Sequence, residues 1–152
     1  MIKIAVFPGS FSPFTKGHKA IIKRALPLFD KIIIAVGINY KKHQHYSIEK
    51  RIKWINDIYF NNPKIFIKSY KGLTVDFCKK ENAKYILRGL RDFNDFKFEK
   101  NIAQMNKSLN SEIETIFLIT SPETSHISST IVRDIIKNGG DASQFLPKEI
   151  NI

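Results

Sequence analysis

The hydrophobic residues of this 152-residue chain follow two alternating patterns. Short continuous apolar runs, of which residues 31–37 form the clearest, are typical of strands covered on both faces. Between these runs, apolar residues recur every three or four positions, which is typical of amphipathic helices. The pattern predicts strands at 2–7, 31–37, 65–67, 85–87 and 115–119, and helices at 19–29, 48–58, 73–80, 93–109 and 128–137.

Strict alternation of strands and helices predicts an α/β fold. We expect a Rossmann-like, doubly wound, five-stranded parallel sheet in a single domain over residues 1–152. Ligands of such sheets bind beyond the carboxyl ends of the strands, near the switch in strand order. The chemistry is therefore expected just after residues 7, 37, 87 and 119. The helix at 93–109 is expected to present Phe96, Ile102, Ala103 and Met105 to a core.

Charge suggests anionic partners and says little about which. Lys plus Arg outnumber Asp plus Glu by 25 to 14, which gives a formal net charge of +11. The 25 basic residues are 20 Lys and only 5 Arg. They are scattered and form no long basic run, so a solvated Lys-rich surface is favoured over a nucleic-acid patch. The sequence has one cysteine and no signal-peptide pattern, and no apolar stretch approaches the ~20 residues that span a bilayer. These features predict a cytoplasmic protein without a membrane partner.

The first strand-to-helix junction has the features of a phosphate loop. It matches neither the dinucleotide fingerprint nor the P-loop pattern. Gly9 and Gly17 allow close backbone approach, Ser10 offers a hydroxyl, and His18 stands near a helix N-terminus, where anions are favoured. The alternative, which the residues alone leave open, is that His18 only caps its own helix.

Four segments, in order along the whole chain, resemble a known family. The segment Thr15-Lys16-Gly17-His18 matches the (H/T)xGH motif of nucleotidylyltransferases, and residues 127–133 resemble their ISSTxxR motif. The segments Pro8-Gly9-Ser10-Phe11 and Arg88-Gly89-Leu90-Arg91-Asp92, with the helix at 96–106, resemble bacterial phosphopantetheine adenylyltransferases in particular.

That resemblance implies transfer of an adenylyl group from ATP to 4′-phosphopantetheine, which gives dephospho-CoA and pyrophosphate in the penultimate step of coenzyme A synthesis. It also implies Mg²⁺ held mainly by ATP oxygens, a homohexamer, and feedback inhibition by coenzyme A. Two alternatives stay open: a sister nucleotidylyltransferase that acts on nicotinate mononucleotide or a polyol phosphate, and a nucleic-acid binder without enzymatic activity.

The same resemblance assigns roles to individual residues. His18 is expected to stabilise the transition state, with Lys42 and Arg91 as further catalytic residues. No protein side chain is expected to ligate a metal. The residues implied in ATP binding are Ser10, Phe11, His18, Gly89, Leu90, Arg91, Glu99, Thr124, Ser125, His126, Ile127, Ser128, Ser129 and Thr130. The residues implied in phosphopantetheine binding are Ser10, Lys42, Leu73, Thr74, Arg88 and Asn106.

Some of these roles have a physical rationale. The acceptor phosphate is ionised at neutral pH, so no catalytic base is needed. A helix N-terminus would lower the pKa of His18. The ring is then neutral and can donate a hydrogen bond. Arg88 is placed directly after the fourth predicted strand, a poor position for an unpaired charge without an anion. For Ser128–Thr130, a role as a phosphate cradle is favoured over ordinary N-capping of the helix. For Glu99, the alternative to a role in ATP binding is an exposed helical carboxylate.

Overall fold

A computed structural model describes residues 1–41 and 45–152. Lys42, a predicted catalytic and acceptor-binding residue, lies outside the described residues. The strands are β1 (Ile4–Gly9), β2 (Lys31–Gly37), β3 (Ile65–Tyr70), β4 (Tyr85–Leu90) and β5 (Glu114–Ile119). The α-helices are α1 (Lys16–Ala25), α2 (Ile48–Tyr59), α3 (Thr74–Lys80), α4 (Phe93–Leu109) and α5 (Ser129–Lys137), with short 3₁₀ turns at Leu26–Leu28 and Ser143–Phe145.

All five strands pair in parallel in the order β3-β2-β1-β4-β5. The chain winds outward from β1 to β3, then crosses back to β4 on the other side of β1. The order therefore reverses between β1 and β4, which is where ligands bind in sheets of this kind. The predicted α/β, doubly wound, five-stranded parallel sheet is confirmed.

Both faces of the sheet are covered, as the apolar runs of the strands require. Ile32, Ile34 and Val36 of β2 pack into one core cluster with residues of α1 and α2. Ile33 and Ala35 point to the opposite face and pack with Val75, Phe77 and Cys78 of α3. Burial raises the pKa of the Cys78 thiol to about 12, so the side chain is an unreactive part of this core.

Side-chain caps start four of the helices. Thr15, Ser47, Asp92 and Ser128 each accept a hydrogen bond from a backbone N–H in the first turn of the helix that follows. The caps place the start of α1 three residues before the predicted position. No helix within 1–41 or 45–152 combines the length and the apolar character that crossing a bilayer requires.

The structure corrects one prediction about the core. Of the side chains on α4, the buried one is Glu99, while Phe96, Ile102 and Met105 are 41%, 38% and 67% exposed. Ile102 and Met105 do have helical spacing, but all three side chains lie at the surface of the single chain. A second correction concerns Arg88, which lies within β4 because that strand runs on to Leu90.

Candidate active site

The N-terminus of α1 fixes the orientation and the tautomer of His18. The backbone N–H of Thr15 donates to His18 Nδ1 at 2.9 Å, and the His18 N–H donates to Thr15 Oγ1 at 3.4 Å, a reciprocal capping box. Because Nδ1 accepts a hydrogen bond from the backbone N–H of Thr15, the neutral ring carries its proton on Nε2. The capping role that the sequence left open is therefore real, and it leaves one donor for a ligand.

The surroundings of His18 keep the ring neutral. Its centroid lies 5.0 Å from that of Phe11 and 5.2 Å from that of Phe14. The pKa of His18 is lowered to about 3, mainly by burial and in addition by the positive charges of Arg88 and Arg91. The direction agrees with the prediction, but the main cause is burial rather than the helix N-terminus.

The backbone ahead of α1 folds tightly around Phe11. Phe11 adopts a left-handed conformation with φ of 49°. A Cβ on Gly9 would lie 2.9 Å from the Phe11 ring, closer than real Cβ atoms approach. A side chain at position 9 would therefore force the Phe11 ring to shift, and Ser10 lies between these two residues.

Two helix N-termini open into one cavity. The starts of α1 and α5 both line it, and neither helix has an acidic residue in its first turn. Ser129 Oγ donates to Pro13 O at 2.8 Å, which ties α5 to the first loop although the two residues are far apart in sequence. Two positive helix ends converge here, which favours the binding of an anion such as phosphate.

The three hydroxyls at the start of α5 already have partners within the protein. Ser128 Oγ accepts from the Ile131 N–H, Ser129 bonds Pro13, and Thr130 Oγ1 accepts from Arg133 at 3.3 Å. The N-capping alternative therefore holds for Ser128. Ser128 and Thr130 only accept in these bonds, so their hydroxyl hydrogens, like the backbone N–H groups of the first turn, can still be donated to a phosphate, whereas Ser129 already donates its own.

Arg88 is paired, contrary to the expectation of an unpaired charge. Its Nε and Nη2 donate to the two carboxylate oxygens of Glu99 at 2.9 and 2.6 Å, and its Nη1 donates to Pro8 O at 2.5 Å. Glu99 is 7% exposed, so it is not the solvated helical carboxylate of the alternative. The pair presents the bidentate geometry that a phosphate would otherwise take.

Arg91 is held in a similar way by Asp95, in the first turn of α4 and one turn before Glu99. Its Nε donates to Asp95 Oδ2 at 3.0 Å, and the backbone N–H of Arg91 donates to the same oxygen at 3.0 Å. Hydrogen bonding to Asp95 raises the pKa of Arg91. Partial burial raises the pKa of Asp95, but the bonds to Arg91 outweigh it and the pKa lies below its usual value. The Arg91–Asp95 pair therefore stays charged at neutral pH.

The cavity at the two helix N-termini has a volume of about 390 Å³. It brings together most of the residues predicted for ATP. Those that line it are Ser10, Phe11, His18, Gly89, Arg91, Glu99, Thr124, Ile127, Ser128, Ser129 and Thr130. A triphosphate nucleotide thus has a polar, cationic wall at one end of this space.

A second cavity of about 260 Å³ adjoins the first. Ser10, Thr74, Arg88 and Asn106 line it, as predicted for the acceptor. Ser10, Arg88 and Glu99 line both cavities. The two spaces therefore share one wall at the switch between β1 and β4, where two bound molecules would meet.

Among the predicted site residues that the structure describes, four line neither cavity. Leu73 is 55% exposed ahead of α3, and Leu90 is buried at the end of β4. Ser125 Oγ donates to Pro122 O, and the His126 ring packs edge-on against Phe145. The roles that the resemblance gave these residues stay predictions.

The comparisons with known proteins agree with this geometry. The cytidylyltransferase-like family model matches residues 6–135. A phosphopantetheine adenylyltransferase of Flavobacterium psychrophilum is 53% identical over 148 residues, which cover 97% of each chain. A protein of the same name from Cytophaga hutchinsonii is 49% identical over 99% of this chain and 100% of its own length. The chain belongs to the phosphopantetheine adenylyltransferase family.

A solved structure extends the comparison to the fold of this phosphopantetheine adenylyltransferase family member. A bifunctional NMN adenylyltransferase/ADP ribose pyrophosphatase from Francisella tularensis superposes with a TM-score of 0.75 at 22% identity. The match covers 96% of this chain and 45% of that protein. At this identity the likeness shows that the fold is shared with nucleotidylyltransferases.

Three site residues of this family member escaped the sequence analysis. Arg133 lines the larger cavity and donates to Ser12 O at 2.7 Å, and its signal was the last position of the ISSTxxR motif. Asp95 could have been found from its spacing of four residues after Arg91. Arg51, which is 1% exposed, donates to carbonyls of three segments, and no local pattern in the sequence reveals it.

The arrangement in this family member is suited to positioning polyanions. It offers a neutral donor at His18, two helix N-termini, and the guanidinium groups of Arg88, Arg91 and Arg133. Within residues 1–41 and 45–152 no three metal-ligating side chains gather into a cluster. These groups are suited to stabilising charge and to aligning phosphates.

Proposed function

We propose that this protein transfers the adenylyl group of ATP to 4′-phosphopantetheine, giving dephospho-CoA and pyrophosphate. The observation that carries the proposal is the 49–53% identity, over nearly the full length, to proteins named phosphopantetheine adenylyltransferase. Two adjoining cavities with a common cationic wall provide space for two phosphorylated substrates, which supports the same conclusion.

In the proposed reaction, a phosphate oxygen of the acceptor attacks the α-phosphorus of ATP. A new P–O bond forms, the bond from the α-phosphorus to the bridging oxygen breaks, and pyrophosphate leaves with that electron pair. The attacking oxygen is already ionised, so no side chain has to remove a proton. The protein supplies alignment and stabilisation of the charge that spreads over the α-phosphate.

We assign the transition-state contact to His18. The Thr15 N–H occupies Nδ1, which supports Nε2–H as the donor to the α-phosphate. A neutral donor suits this task because it gives no proton away during the transfer. The N-termini of α1 and α5 and the guanidinium of Arg91 then hold the remaining ATP phosphates, and Arg88 with Lys42 binds the acceptor phosphate.

The nucleotide substrate is proposed to be ATP with Mg²⁺ bound to its phosphate oxygens. The two carboxylates that line the larger cavity, Asp95 and Glu99, are both occupied by arginines in this arrangement. Magnesium keeps several waters and commonly binds through substrate phosphates. The bound ion would neutralise part of the charge on the triphosphate.

The test is pyrophosphate release from ATP and Mg²⁺ with one acceptor at a time. Phosphopantetheine should support turnover, while nicotinate mononucleotide, glycerol phosphate and pantetheine without its phosphate should not. Turnover with nicotinate mononucleotide or glycerol phosphate alone would replace this proposal with the sister activity. Salt-sensitive binding of any DNA or RNA without pyrophosphate release would favour the nucleic-acid alternative.

We also propose a homohexamer that coenzyme A inhibits and that acts in the cytoplasm. The exposed apolar side chains on one side of α4, which are Phe98, Met105 and Leu109 at 66%, 67% and 59% exposure, support an assembly that covers this face. Sedimentation equilibrium should give about six times the 17.6 kDa chain mass. A monomer at micromolar concentration would contradict the hexamer, and pyrophosphate release that coenzyme A leaves unchanged would contradict the inhibition.

A further inference from the structure

The proposed reaction assigns no role to Arg51, although it is the largest of the fully buried side chains. It lies in the first turns of α2, and 1% of its surface is exposed. Burial lowers the pKa of its guanidinium, yet arginine is basic enough to stay charged. A buried charge is costly unless hydrogen bonds satisfy it. A residue that served only to fill the core would be apolar.

Backbone carbonyls take the place of an acidic partner for this charge. Nη1 donates to Ser10 O at 2.8 Å and to Gly37 O at 3.1 Å, while Nε donates to Tyr46 O at 3.1 Å and to Ser47 O at 3.4 Å. These carbonyls belong to three segments: the loop after β1, the end of β2 and the chain entering α2. One side chain therefore holds together the carboxyl ends of two neighbouring strands.

Two of those partners form part of the proposed acceptor site. Ser10 and Gly37 both line the smaller cavity, and Ser10 lies on the wall that the two cavities share. Arg51 lines neither cavity, so it affects them indirectly, through the backbone of Ser10 and Gly37. Charge-assisted bonds to both carbonyls fix the distance between the first loop and the end of β2, which sets the width of the acceptor cavity.

We propose that Arg51 is a positioning residue for the acceptor substrate. The inference rests on the proposed function, because it concerns where 4′-phosphopantetheine binds. Arg51 touches no substrate and holds Ser10 and Gly37 at the spacing that the acceptor requires. Its loss should impair acceptor binding more than ATP binding, since the ATP cavity has further walls from α1, α4 and α5.

The test compares Arg51→Met, which keeps the volume and removes the donors, with Arg51→Lys, which keeps the charge and loses the planar fork. Ile55→Val is the matched control, because Ile55 is fully buried one turn further along α2 and makes no polar contact. KM for phosphopantetheine and KM for ATP are measured separately, with the other substrate saturating. Amide hydrogen exchange is measured for peptides covering residues 8–15 and 45–50, with β5 as the internal reference.

We expect Arg51→Met to raise KM for phosphopantetheine on the order of tenfold or more, since each bond from a charged donor contributes about that factor. KM for ATP should change less than about threefold. Arg51→Lys should give a smaller change of the same kind, and both variants should exchange amides faster at 8–15 and 45–50. Ile55→Val should lower the melting temperature and leave both KM values unchanged. Should Arg51→Met fail to fold, the lysine variant decides by the same criteria.

Equal rises in both KM values, or a wild-type KM for phosphopantetheine in the folded variants, would overturn the positioning role and leave Arg51 a structural residue. Unchanged amide exchange in both segments would overturn it as well. A wild-type protein that releases no pyrophosphate with phosphopantetheine would instead refute the proposed function. The exchange data do not depend on activity, so the two failures are distinguishable.

Discussion

The low pKa of His18 makes the stability of this protein depend on pH in a defined direction. The pKa is about 3 in the folded protein against 6.5 for the free side chain. Between these values the unfolded chain binds a proton that the folded chain does not bind. The free energy of unfolding contributed by this group is therefore fully present above about pH 6.5, and it is lost progressively as the pH falls toward 3.

The size of the effect follows from the two pKa values. From pH 7.5 to pH 5, a group with these values costs about 2 kcal/mol of unfolding free energy. This is an upper value, because the His18 ring is partly buried and keeps some contact with solvent. For a chain of this length, 2 kcal/mol corresponds to a shift in melting temperature of about 6 °C.

The assay compares the wild type with His18→Asn across this pH range. Asparagine keeps an oxygen near the position of Nδ1 that accepts the Thr15 N–H, and it does not titrate. Urea unfolding at pH 7.5 and pH 5 should show a loss in the wild type that exceeds the loss in the variant by up to about 2 kcal/mol. Other histidines are common to both proteins and cancel. Equal losses would refute the depressed pKa of His18.

Three further predictions concern single substitutions. His18→Asn should lower kcat by about 10²- to 10³-fold, as removal of a transition-state donor does, and pyrophosphate release within a few-fold of the wild type would contradict this. Glu99→Gln leaves Arg88 without its carboxylate and should lower the free energy of unfolding by about 1–3 kcal/mol; an unchanged urea midpoint would show that the pair adds no stability. Gly89→Ala places a Cβ 3.1 Å from Ile21 Cγ1 and should lower the free energy of unfolding by about 1–3 kcal/mol, measured in the same way. A melting temperature equal to that of the wild type would contradict this crowding.

Local patterns predicted most of the fold, and they failed at boundaries that depend on long-range contacts. The predicted bounds of β2 and of α4 agree with the structure, because apolar runs and caps are local signals. β1 was predicted to end at residue 7, before Pro8 and Gly9. Those two residues continue the strand because they align with Ala35 and Val36 of β2, a pairing that only the assembled sheet provides.

The periodicity of α4 predicted a buried face, but the partner of that face cannot be deduced from periodicity. Ile102 and Met105 have helical spacing, and the same spacing serves a core or a contact with another chain. In the single chain they are exposed, and Glu99 on this helix is buried instead. Burial of Glu99 depends on Arg88, which lies on a strand and eleven residues earlier.

The pairing of the two site arginines changes what the net charge of +11 means. Arg88 and Arg91 are held by Glu99 and Asp95, so each contributes an oriented guanidinium with its charge already balanced. A phosphate that reaches them must compete with a carboxylate of similar geometry, which makes these positions selective rather than strongly attractive. The attraction must then come from groups without such a partner. The N-termini of α1 and α5 have no acidic residue in their first turns, and Arg133 donates to neutral oxygens. The surface lysines away from the two cavities are therefore expected to contribute long-range steering, while affinity for phosphate is expected where the site has left positive groups uncompensated.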